Sequence, residues 1–138
     1  MLQLKDNAGK LEPQVLFRLP PEIFGATQHT PILLGDRILG VRPNGRLVTL
    51  GFDGKIIATT PPAEDFGLGP FLFAGGLCYA MNDSGKLSLY QVDPNSLKLL
   101  AQAQVLHDHE SWAPMALAGN RLLVRDFTRL ACLDVAVH

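Results

Sequence analysis

Apolar residues along this chain come in short runs that alternate with polar neighbours. In Lys86-Leu87-Ser88-Leu89-Tyr90 the leucines point one way and their neighbours the other, the period-two pattern of a β-strand. A helical period is nowhere sustained; only the short segment PPEIFG, residues 20–25, reads as a turn of helix. The runs are separated by turn chemistry: Arg42-Pro43-Asn44-Gly45, Asp53-Gly54, Asn82-Asp83-Ser84-Gly85 and Asp93-Pro94-Asn95-Ser96. Pro-Asn-Gly and Asp-Ser-Gly supply the backbone geometry a hairpin needs. The pattern predicts an all-β chain of many short antiparallel strands.

The strands recur in a fixed order. Three segments align, beginning at Pro31, Phe71 and Pro114. Each opens with an apolar strand that ends at a glycine, and Gly35, Gly75 and Gly119 stand 40 and 44 residues apart. A second apolar strand follows (RILGV, LCYAM, RLLVR), then a polar turn and a third strand (RLVTLGF, KLSLYQV, RLACLDV). Two repeats add a fourth strand, KIIATT and LKLLAQAQVL. A period of about 40 residues holding four antiparallel strands is the signature of a β-propeller blade. The fold expected is about three such blades, either a partial ring or half of a six-bladed dimeric ring.

The ends refine this division. Residues 1–29 resemble the second half of a blade plus a connection; 30–69, 70–111 and 112–138 are the three repeats, the last without a fourth strand. The strand around residues 15–19 is a candidate for that missing position, because propellers often close by such pairing and an open edge invites aggregation. A second copy of the chain completing a ring is the other way to close it.

Composition narrows the function classes. The 138 residues are 47% hydrophobic and 18% charged, in the range of a folded domain with its own core. The net charge of −1 and the lack of a basic run argue against nucleic acid as a partner. No apolar run approaches the roughly 20 residues of a membrane span. The first residues, MLQLKDNAGK, lack the apolar core of an export signal. Cys78 and Cys132 both sit in alternating apolar runs and read as buried free thiols.

The third-strand element Gly45-Arg46-Leu47-Val48-Thr49-Leu50 recurs as Gly85-Lys86-Leu87-Ser88-Leu89 and, degenerate, as Arg129-Leu130-Ala131-Cys132-Leu133. With it, and with Ser111-Trp112-Ala113-Pro114 through Leu133-Asp134 as a closing repeat, nearly the whole chain resembles the quinoprotein-like propellers, the PQQ-like repeat proteins. The resemblance implies a propeller and, by analogy, a periplasmic or exported protein. That family includes quinone-dependent dehydrogenases and non-enzymatic scaffolds of outer-membrane assembly. This sequence has no adjacent cysteine pair, and Ala58 stands where a fourth-strand tryptophan is common. No cofactor is therefore expected, pyrroloquinoline quinone being implied by the resemblance alone.

Three connections, 20–30, 61–69 and 107–113, each leave a fourth strand and enter a first strand, so they should share one face. Phe24-Gly25 and Phe66-Gly67 repeat within them and read as aromatic plugs between repeats. Their polar residues are Gln28, His29, Glu64, Asp65, His107, Asp108, His109 and Glu110. His107 and His109, two apart on an extended segment, would point the same way and could share a metal with His29 or Asp65; a solvated polar loop is the simpler reading. Trp112, at the start of a first strand, packs between repeats or offers a stacking surface. Arg125, Asp126 and Arg129 are placed to form an ion-pair network. The candidate ligand-binding set is Gln28, His29, Asp65, His107, His109, Glu110 and Trp112, with no metal assigned. The expected function is a non-enzymatic scaffold that binds a protein or peptide, or a second copy of itself, through these loops. The competing reading is a fragment of a quinone- or metal-dependent oxidoreductase.

Overall fold

The computed structural model describes residues 1–25 and 27–136, so Ala26 in the first connection and the last two residues of the third repeat lie outside it. The described residues form thirteen strands in four antiparallel sheets, with no helix among them and hence none able to cross a membrane. An N-terminal hairpin comes first, β1 (Leu2–Asn7) and β2 (Lys10–Val15). The first sheet has the order β3 (Ile32–Leu34), β4 (Arg37–Val41), β5 (Leu47–Gly51), β6 (Ile56–Thr59). The second runs β7 (Phe71–Ala74), β8 (Leu77–Met81), β9 (Lys86–Asp93), β10 (Ser96–Gln104). The third has three strands, β11 (Ala116–Ala118), β12 (Arg121–Arg125) and β13 (Leu130–Asp134). Within each sheet every strand pairs with its neighbour in sequence, as a chain of hairpins must. Residues 20–25 form turns rather than a turn of helix.

The sheets stack face to face because alternation gives each an apolar set on both sides. In the second sheet Cys78, Ala80 and Tyr90 face Leu39, Val41 and Leu47 of the first, with Phe66 between them. Tyr79 and Met81 face Leu122 and Val124 of the third, and Leu106 fills the corresponding gap. The Phe66 ring meets Tyr90 edge-on, centroids 5.9 Å apart, which is the plug expected of the Phe-Gly repeat.

Three expectations are corrected. Residues 15–19 do not supply a fourth strand to the third sheet: β2 ends at Val15 and pairs with β1, and the chain beyond it turns onto the first sheet, where Phe17 and Leu19 lie against Gly54. Cys132 is exposed while Cys78 is buried, because Cys132 falls on the outer side of the last sheet, opposite the side that carries Ala131 and Leu133 into the core. Trp112 precedes the first strand of the third sheet, which begins at Ala116, and lies in the connection.

Candidate functional site

The turns between second and third strands use one device. Asn82 Oδ1 accepts the backbone N–H groups of Ser84 (3.1 Å) and Lys86 (2.8 Å), and Asp126 Oδ1 accepts those of Thr128 (2.9 Å) and Arg129 (2.6 Å). A side-chain oxygen that satisfies turn donors locks the hairpin. Asp126 also reaches across the face, its Oδ2 accepting the N–H of Asp108 at 3.2 Å. It is only 2% exposed. That burial raises its carboxyl pKa, yet the N–H groups of Arg129, Thr128, Asp108 and His107 outweigh it and hold the value below the usual carboxylate range. The Arg125, Asp126 and Arg129 set is thus no ion-pair network: the carboxylate takes backbone donors instead.

Asp83 makes the corresponding bridge in the preceding repeat. Its Oδ1 accepts the N–H of Leu68 and the indole Nε1–H of Trp112, both at 2.8 Å. Gly67, with φ of +52°, lets this carboxylate approach, since a Cβ there would overlap it. From the first connection, Gln28 Nε2 donates to the Leu68 carbonyl at 2.7 Å and His29 Nε2 to the Gly69 carbonyl at 2.8 Å. The last bond requires a proton on His29 Nε2, since a carbonyl oxygen only accepts. All three connections are therefore tied together on one face, as their repeat positions implied.

Between them lies a cavity of about 370 Å³. Gln28, His29 and Thr30 form its polar side, and Leu68, Phe71 and Met115 its apolar side, with Pro70 and Pro114 between. Trp112 closes one wall and is 40% exposed. The His29 ring stacks obliquely near Phe71, centroids 6.0 Å apart. The site joins a flat aromatic surface to an amide and an imidazole, the equipment for holding an extended polar segment with one apolar or aromatic side chain.

Of the candidate residues, the cavity gathers Gln28, His29 and Trp112. Asp65 lies apart, its Oδ1 accepting Gly67 N–H at 2.7 Å. His107, His109 and Glu110 also stand outside it. Their segment bends at Asp108 and His109, and Glu110 has φ of +62°, so the extended geometry that would align the two imidazoles is not present. His109 is 77% exposed, 3.7 Å from Asp108 and 4.0 Å from Glu110, contacts of little energy in water. Among the described residues no three His, Cys, Asp or Glu side chains group as metal ligands. The described cavity lining holds no Asp or Glu. Glu64 is half-buried, and burial pushes its carboxyl pKa up against the opposing effect of Lys86.

Sequence reasoning missed the wall residues Thr30, Leu68, Phe71 and Met115 and the anchor Asp83, and it read the second anchor, Asp126, as an ion-pair partner. The alignment of Asn82 with Asp126 was the available signal for the second anchor. Nothing in the sequence distinguished Asp83 from an ordinary turn aspartate.

The chain matches no known protein-family profile, and no curated protein is similar to it. Among solved structures it is similar to the crystal structure of the computationally designed Ika4 protein, with a TM-score of 0.61 at 8% identity. The match covers 77% of this chain, which spans 64% of the length of Ika4. At that identity the likeness is one of fold alone.

Proposed function

We propose that the stacked sheets are blades of a quinoprotein-like propeller and that the chain is a non-enzymatic binding scaffold. Its ligand is a peptide segment of a protein partner, taken into the cavity on the face where the blade connections meet. One observation carries the reading: side chains from all three connections converge on a single cavity, with an exposed indole opposite Gln28 and His29. A rigid stack of sheets positions those loops without needing them to move, which lowers the ordering cost of binding. An extended peptide laid across the cavity would stack an aromatic or proline side chain on Trp112. Its backbone would meet the Gln28 amide and the His29 ring nitrogen.

Selection of random peptides displayed on phage against the immobilised protein, followed by isothermal titration calorimetry of the enriched peptides on wild type and variants, with Trp112 fluorescence as a second readout on the wild type, tests this. The expected result is a saturable change in emission and at least a ~10-fold loss of affinity in Trp112→Ala, in line with a centrally placed aromatic contact. Enriched peptides that bind Trp112→Ala and Gln28→Ala as tightly as the wild type would overturn it.

A further inference from the structure

The stack of sheets ends in two unlike faces. Within the stack, each sheet lays the trailing side of its second and third strands on the leading side of the next. Register fixes the equivalent positions: Met81 lies opposite Leu87, and Arg125 opposite Leu130. Leu123 therefore stands where Tyr79 stands one sheet earlier, Leu130 where Leu87 stands, and Cys132 where Leu89 stands. Tyr79, Leu87 and Leu89 are packed in the core between the second and third sheets. Of their counterparts Leu123 is half-buried, whereas Leu130 is 71% exposed and Cys132 is exposed. At the other end, the leading side of the first sheet carries Ile38 and Leu50. Its own chain roofs it incompletely, with Phe17, Leu19 and Phe24, and an open groove of about 440 Å³ remains.

We propose that a second copy of this chain seats the trailing face of its third sheet in that groove, and that the reciprocal contact closes two copies into one ring. Continuity with the two internal junctions names the occupant. Both junctions put a trailing face on a leading face, with one residue of the connection, Phe66 or Leu106, sealed between them. Phe24 repeats the place of Phe66, and its ring lies against Gly40 of the first sheet with no four-stranded sheet before it. The bare trailing face of the third sheet and the leading face of the first, where Leu50 is buried under its own chain but the groove beside Ile38 stays open, are thus of complementary kind. A contact between unlike faces closes only where the rotation allows it and otherwise grows into an open chain. Among the described residues the N-terminal hairpin pairs with no other sheet, which leaves it able to take the outer position beside β13.

The experiment is light scattering over a dilution series with circular dichroism on the wild type, Leu130→Glu and Ile38→Glu. The expected results are a fixed mass of twice 15.0 kDa for the wild type and a monomer with retained β signal for each variant. Alkylation of Cys132 by N-ethylmaleimide should be slower in the wild type than in the monomeric Ile38→Glu. A monomer throughout, or a mass that grows with concentration, would overturn the closed ring. So would a dimer that survives Leu130→Glu, or one that survives Ile38→Glu, the mark of two third sheets pairing with each other. Where Ile38→Glu does not fold, oxidation decides: the ring holds the two Cys132 thiols apart, and a Cys132 cross-link overturns it. The peptide reading stands or falls separately, since Trp112 lies on a different surface.

Discussion

Trp112 and Leu68, from two different connections, donate to the same oxygen of Asp83, each at 2.8 Å. One carboxylate thereby holds the aromatic wall of the cavity against the loop that forms its floor. Asp83→Ala should release the indole without disturbing the core, because Asp83 itself is exposed on a turn. The chain has a single tryptophan, so its emission reports the site directly. The expected outcome is a red shift and stronger acrylamide quenching in Asp83→Ala, with an unchanged circular dichroism spectrum. Emission identical to the wild type would mean that the bond does not set the indole position.

The strands were readable because two signals coincide in them. Alternation in Leu87-Ser88-Leu89 fixes which side chains share a face, and glycines of positive φ at Gly35, Gly75 and Gly119 mark where each first strand ends. The stacking of sheets follows from the same alternation, since the second sheet is apolar on both sides. The site was less readable. Gln28, His29 and Trp112 could be placed on one face by repeat position, but that position does not say which of them meet. His107 and His109 do not sit on the extended segment their spacing suggested, because the bend at Asp108, whose N–H bonds to Asp126 eighteen residues away, is invisible in local sequence. Cys132 looked like a core residue because its run is apolar. Whether such a run is buried depends on what stacks against it.

Asp126 couples the last hairpin to the connection before it. Its folded pKa is depressed below the ordinary value of 3.8, so it stabilises the fold above the unfolded carboxylate range. That contribution is lost as the pH falls through the folded value. Thermal melts of the wild type and Asp126→Ala should therefore differ most near neutral pH, with the wild type higher, and converge in acid. Asp126→Asn, which keeps one acceptor oxygen, should fall between them at neutral pH. A difference that persists unchanged into acid would assign the loss to packing instead of charge.

Phe66 is 2% exposed and fills the junction between the first two sheets beside Tyr90. Phe66→Ala removes a ring from a gap that two sheets and a connection cannot easily collapse into. A loss of about 3–5 kcal/mol is expected from urea unfolding, the range for truncating a buried aromatic. Phe24 occupies the equivalent place with only one four-stranded sheet against it, and Phe24→Ala should cost less than half as much. Equal costs would mean that Phe24 is as fully packed as Phe66.

The two thiols should behave oppositely. Cys132 is exposed and should react with alkylating reagents in the native monomer, whereas Cys78, fully buried, should react only after unfolding. Burial pushes the Cys78 pKa from 9.0 up to about 12. The unfolded thiol ionises first as the pH rises, so the native state loses stability between those two values and not below them. The slope expected there is up to about 1.4 kcal/mol per pH unit, the linkage of a single proton. Cys78→Ala removes the titrating group, and its stability should lack this alkaline slope while otherwise following the wild type. The measurement is urea unfolding of both proteins from neutral pH upward, with the free energy difference plotted against pH. A constant difference would show that Cys78 ionises in the folded protein as readily as in the unfolded chain, and that the junction between the first two sheets admits water.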